Sequence, residues 1–366
     1  PLVWLTAAFT VGQITAAVMG IGVGRLLDLH GPRWLMTTGS VLAVAALVLI
    51  AGAQSLTWFF AASVLAGVAM SATLYPPAFA ALTRWHDHHD RLRALTVLTV
   101  AGGLASTVFG PLTAWLAGLI DWRSTYLVLA ALLALVTVPL HAWGLRGPWP
   151  TPVPITDSDA PRSQPQTSRT PRLVVTAVTF ALAGLAAYAV VVNLVPLLRE
   201  RGATLATAGV LLGLGGLGQV AGRLGYGTLV RRTNLRGRTL ITLSAMAVTT
   251  ALLGLVDGLV VLTLLVLLAG MARGMSTLLQ ATAVTDRWGT LHYGRLTGIL
   301  VAPASIAVAV APWFGAYLAH RLGSYADAFL VLAAIGLVAV ALVPATVVRP
   351  HPASSSPPTL TSEEQA

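Results

Sequence analysis

Eleven runs of about 20 apolar residues, separated by short polar gaps, limit what this chain can fold into. A bilayer core of about 30 Å takes about 20 helical residues to cross, each rising about 1.5 Å. The runs fall at 3–24, 34–53, 57–80, 95–119, 122–143, 172–197, 205–228, 238–256, 259–284, 296–319 and 327–347. Strands of a membrane barrel need only about 9–11 alternating residues, so run length predicts helices. Composition agrees, with 56% hydrophobic and 9% charged residues, where a soluble chain carries about 25% charged. The sequence therefore predicts an all-α membrane protein with the lipid bilayer as its solvent.

The net charge of +10 does not imply a nucleic-acid partner. Its arginines sit in the gaps between apolar runs rather than along one face. All 22 basic residues are arginine, and the absence of cysteine excludes disulfides and thiolate metal sites. With the 24–33 gap placed in the cytoplasm, seventeen arginines fall inside and four outside (Arg123, Arg199, Arg201 and Arg321), with Arg273 inside a span. Positive charge marks the cytoplasmic side. A multi-pass protein of the cell (inner or plasma) membrane is expected, its linker and C-terminus cytoplasmic and Pro1 external. No basic n-region precedes the first run, so no cleavable leader is expected.

Residues 147–171 hold seven prolines among Ser, Thr, Asp and Arg, and read as a solvated linker. This predicts an N-terminal bundle of five spans (1–146), a cytoplasmic linker (147–171), a C-terminal bundle of six spans (172–348) and a polar tail (349–366). Five plus six suggests a six-plus-six plan with the first helix missing.

The gap after the first run reads Gly24-Arg25-Leu26-Leu27-Asp28-Leu29-His30-Gly31-Pro32-Arg33. It resembles the signature loop of the major facilitator superfamily, Gly-x-Leu-Ala-Asp-Arg-x-Gly-Arg-Lys, with Gly24, Leu26, Asp28, Gly31 and Arg33 matching. The resemblance implies a major facilitator fold, two six-helix bundles, and a gate at this loop. Gly24 would permit close helix contact. Asp28 would pair with arginine or cap a helix N-terminus. Gly31 would turn the chain, and Arg33 would hold the cytoplasmic side. A degenerate copy follows the seventh run at Gly222–Arg232, where Gly227 and Leu229 match but Arg231 stands at the Asp position. Arg223 of this copy is a further gating candidate. Trp85, Arg91–Ala94, Gly110-Pro111 and Asp121–Arg123 resemble oxalate/formate and monocarboxylate-type members, and His292–Gly298 resembles the superfamily's loop before helix eleven. Two antiporter motifs of the superfamily are weak, with Ser63 at an arginine position and only Ser106, Gly110 and Pro111 of the second remaining.

Arg273 is the sharpest chemical signal. It lies about 17 Å from the cytoplasmic end of its span at about 1.5 Å per residue, where an unpaired charge facing lipid is costly. Thr277 and Gln280 follow at i+4 and i+7 on the same face. A planar guanidinium flanked by hydroxyl and amide suits bidentate carboxylate binding; bonding to backbone carbonyls, or pairing with an acid of the missing helix, is the structural alternative. Gln13, at the end of a Thr6, Thr10, Gln13 stripe, together with Tyr188 and Asn193, is a further candidate for substrate contact. Such side chains also bond helix to helix. His86–Asp90 reads as a solvated loop and His141 as interfacial, so no metal or cofactor is expected. Nothing resembles a catalytic motif, so the chain is not expected to be an enzyme. The expected function is secondary transport of a small solute, with a coupling ion or exchanged solute, by alternating access. The expected substrate is an organic anion such as a monocarboxylate. The alternatives are efflux of drugs or other small molecules, and a non-transporting remnant or sensor.

Overall fold

The computed structural model describes residues 2–149, 166–290 and 292–346. Among them the secondary structure is helical, without strands. Helix α1 (Leu2–His30) carries the first apolar run on through the motif residues, so the expected loop is mostly helix. The chain turns only at Gly31, whose φ of 77° a glycine adopts without a Cβ penalty. Pro32 then opens α2 (Pro32–Ala51), where its missing N–H would be unpaired anyway. Helices α3 (Leu56–Thr73) and α4 (Tyr75–Trp85) form one span interrupted at Leu74. Pro76 and Pro77 remove the two N–H groups that would bond to the carbonyls of Ala72 and Thr73, and the helix breaks there.

The expected span 95–119 is divided at Leu104 into α5 (His88–Gly103) and α6 (Ala105–Leu119). Gly102-Gly103 has poor helix propensity, and a side chain from another helix enters the ladder here. The Thr99 carbonyl accepts a hydrogen bond from Arg223 Nη1 at 2.6 Å. Such insertions interrupt helices. Ten elements of the described residues are long and apolar enough to cross a bilayer, and the divided α5–α6 pair, which covers the remaining expected run, is not among them. The next span is α7 (Trp122–Leu132), a π-helical turn at Leu133–Thr137, and α8 (Val138–Gly144). Asp121 caps α7 by accepting from the N–H groups of Arg123 and Ser124. Hydrogen bonds, led by that from the Ser124 hydroxyl, hold its carboxyl below the usual carboxylate range.

The second half comprises α9 (Gln166–Glu200), α10 (Leu205–Arg232), α11 (Leu235–Leu255), α12 (Leu259–Thr282), the short α13 (Thr285–Trp288), α14 (Tyr293–Leu322) and α15 (Tyr325–Thr346). Helix α9 begins upstream of the expected residue 172. Most of the expected linker and all of the expected tail lie outside the described residues. His141 is turned into the first half, its Nδ1 2.7 Å from Ser40 Oγ.

Helix α1 packs on α3, and α2 packs on α3 and on α7–α8. The same pairings recur as α10 on α12, and α11 on α12 and α15. Helix α9 packs against α14 and α15; among the described residues no helix does this for α5–α8. The burial reflects it: 6% of the apolar window of 122–144 is buried, against 39% for Tyr325–Thr346. The halves meet where α1 lies against α14, and where α5 lies against α10 and α12.

Candidate functional site

Small residues bring the site's helices together. Where α10 crosses α12, a Cβ on Gly222 would collide with the backbone of Met271, and one on Gly274 with that of Gln219. Only glycine permits this approach, a pattern typical of helix pairs in lipid. It sets Gln219 and Arg223 of α10 beside Arg273, Thr277 and Gln280 of α12. These five residues line one face of a cavity of about 390 Å³ between the halves. Gln13 of α1, Tyr75 and Phe79 of α4, Phe180 and Tyr188 of α9, and Ser305 of α14 complete much of the wall. A volume of this order matches pockets for small molecules.

The electrostatics of the cavity are one-sided. Arg223 and Arg273 are both in its lining, and no Asp or Glu is. Arg223 is buried and partly satisfied, through Thr99 O and through Gln219 Oε1 at 3.1 Å. Arg273 differs. Among the described residues its guanidinium makes no hydrogen bond or ion pair, and its Nε is buried without a partner. The Thr277 hydroxyl donates to the Arg273 carbonyl at 3.2 Å. Tyr188 and Arg223 lie within electrostatic reach of Arg273. Two guanidinium groups, two tyrosines and three amides (Gln13, Gln219 and Gln280) thus line one space whose remaining wall is mainly apolar.

Of the expected contact residues, Gln13, Tyr188, Arg273, Thr277 and Gln280 meet at this cavity, and Asn193 does not. Asn193 is buried, and its Nδ2 donates to Ala189 O at 2.8 Å and Pro312 O at 3.5 Å, joining α9 to α14. Arg223 lies in the cavity rather than at the motif copy's end of the bundle. The sequence places it near the end of run 205–228, but α10 continues about one turn further, to Arg232, at about 3.6 residues per turn. Gln219, one turn before Arg223, goes with it.

The motif residues form a second cluster, where α1 meets α14. Gly24 faces Gly294 so closely that a Cβ on either would strike the other's backbone. Asp28 accepts the N–H groups of Gly294 at 3.1 Å and Arg295 at 2.9 Å, capping the N-terminus of α14. Arg84 of α4 is 3.6 Å from the same carboxylate and donates to the Asp28 carbonyl at 3.1 Å. Arg33 instead stays within the first half. Its Nε donates to Ala142 O at 2.9 Å, and its guanidinium lies 4.5 Å from the Trp34 ring centroid. Between this cluster and the cavity, Leu27, Phe79, Leu95, Tyr226, Leu278 and Tyr293 form a buried apolar plug.

A bundle of membrane-crossing helices around a central cavity defines a multi-pass membrane protein. The chain belongs to the Major Facilitator Superfamily, whose family model matches residues 3–302. Among curated proteins it is 26% identical over 145 residues to an uncharacterized MFS-type transporter, YcxA, of Bacillus subtilis, covering 39% of this chain and 35% of that one. It is 30% identical over 125 residues to monocarboxylate transporter 13 of Rattus norvegicus, covering 33% of this chain and 29% of that one. The matched segments thus span about a third of these relatives. Among solved structures, the E. coli fucose:proton symporter FucP superposes with a TM-score of 0.68 at 15% identity, over 94% of this chain and 93% of that one. The human organic anion transporter MFSD10 (TETRAN) gives 0.71 at 18%, over 93% and 83%. At these identities the superpositions speak to the fold.

Proposed function

We propose that this protein is a secondary transporter of small organic anions, typified by a monocarboxylate, working by alternating access in the cell membrane. The observation that carries the reading is the Arg273 guanidinium, unpartnered among the described residues, beside Arg223 in a cavity without acidic lining. An uncompensated buried cation is costly, and an incoming carboxylate offsets that cost with two parallel charge-assisted hydrogen bonds. Gln280, Gln219 and Tyr188 supply further polar contacts, and the wall formed by Phe79, Phe180 and Val301 accommodates a short apolar chain. The relation to monocarboxylate transporter 13 supports the same class.

In this reading the Asp28 cluster is the cytoplasmic gate and is closed, so the cavity faces outward. A FucP structure in the outward conformation superposes with a TM-score of 0.71. A coupling ion or exchanged solute accompanies the anion. The mainly apolar wall favours one second reading, export of amphipathic drugs by the same cavity. Purified protein in liposomes distinguishes the two. Uptake of a labelled monocarboxylate, displaced by other carboxylates and untouched by cationic dyes, is expected. Displacement by the dyes and not by carboxylates would transfer the assignment to the second reading.

A further inference from the structure

The residues after α8 do not leave the bundle directly. Trp149 lies against the turn at Gly31, where any Cβ would meet its Cγ at 3.0 Å. Its Nε1 donates to the Asp28 carbonyl at 3.3 Å. Its ring lies under the Arg84 guanidinium, 4.6 Å from the carbon to the centroid. Trp85 secures the segment from the other side, donating from Nε1 to Pro148 O at 3.1 Å and meeting the Trp149 ring edge-on at 6.3 Å. One side chain from outside the membrane spans therefore touches the motif turn, the motif carboxylate's own backbone and the arginine beside that carboxylate.

We propose that Trp149 is a positioning residue for the gate, a latch that holds Arg84 and Asp28 in the arrangement that caps α14. Arginine has many rotamers, and fixing one against Asp28 carries an entropic cost. A tryptophan face beneath the guanidinium lowers that cost by cation–π attraction, and the indole hydrogen bond fixes the α1 terminus that carries the carboxylate. With both in place, the Asp28 oxygens are already aimed at the N–H groups of Gly294 and Arg295. Without them the same cap must first order its parts, and the closed arrangement loses population. The inference concerns the gate and is independent of which solute the cavity takes.

The chain has no cysteine, so two introduced thiols report without background. Leu29 and His292 are exposed on the two sides of the α1–α14 seam, and the His292 side chain caps nothing. Spin labels on Leu29→Cys and His292→Cys, measured by pulsed electron resonance in nanodiscs, give the populations of short and long separations. Trp149→Ala is expected to raise the long-distance population about fivefold, in line with losing one cation–π contact and one hydrogen bond. Trp149→Phe keeps a ring under Arg84 and loses the donor, so a rise of about twofold is expected. Should Trp149→Ala not purify as a single species, Trp149→Phe decides the matter alone. Distance distributions matching the unsubstituted pair, or shifted toward shorter separations, overturn the latch.

Discussion

At the residue scale, Arg273 and Arg223 show what a linear reading resolves. Arg273 stands out because it interrupts the 259–284 run well away from either end, and depth alone makes such a charge functional or costly. Arg223 sits close to the end of its run, where an arginine normally snorkels to the interface. Only the helical continuation to Arg232 and the glycine crossing with α12 place it in the cavity. Asn193 is the reverse case, a polar residue at plausible depth whose bonds go to α9 and α14 backbone. Two outcomes follow. Arg273→Lys keeps the charge but loses the planar fork, so binding of a monocarboxylate should weaken roughly tenfold with anion preference retained, and Arg273→Gln should abolish uptake. Inserted, folded Arg273→Gln protein that takes up carboxylate normally would contradict the anion assignment. Asn193→Ala should instead lower thermal stability, by about 1–2 kcal/mol for one lost buried hydrogen bond. Its substrate ranking in competition assays should match that of the unsubstituted protein.

At the element scale, the apolar runs located the membrane-crossing helices well, because hydropathy is a property of the chain alone. Their interruptions were less legible. Pro76-Pro77 mark one of them in the sequence, and α3 ends just before that pair, at Thr73. The division at Leu104 had only Gly102-Gly103 to mark it, since the group entering the α5 ladder is an arginine 124 positions from Thr99. The motif region likewise read as a loop, whereas α1 stays helical to His30 and presents Asp28 to α14. That geometry sharpens the expectation for Asp28→Asn. The amide can still accept one N–H bond but loses the charge that favours a helix N-terminus and Arg84. Transport should fall severalfold, while the affinity of the cavity, which Asp28 does not line, stays within about threefold. Binding titration beside initial-rate uptake separates the two, and a selective collapse of affinity would remove Asp28 from the gate.

At the scale of the whole molecule, the recurrence of helix pairings between the halves was expected from the repeated motif. The degeneracy of the copy is visible as well. Asp28 caps α14 on one side of the pseudo-repeat. On the other, Arg231 donates to Thr228 of its own helix, and the α5–α10 contact has no matching carboxylate among the described residues. Orientation is the property on which gate, cavity and linker assignments jointly depend. The motif cluster, with Arg84, Arg91, Arg238 and Arg287, lies at the end of the bundle to which the linker connects. The few arginines at the opposite end make local contacts, Arg201 with Asp257 and Arg123 with Ala53 O. Positive charge is retained on the cytoplasmic side during insertion, and the bias is read over short loops such as these. Even with Arg223 removed to the cavity, sixteen arginines against four is a larger asymmetry than a few neutralised pairs can erase. Reporter fusions at Ser163 and Ser355 should therefore both give cytoplasmic signals. An external signal at either would invert the gate: the closed Asp28 end would then face outward, and the cavity would be open to the cytoplasm.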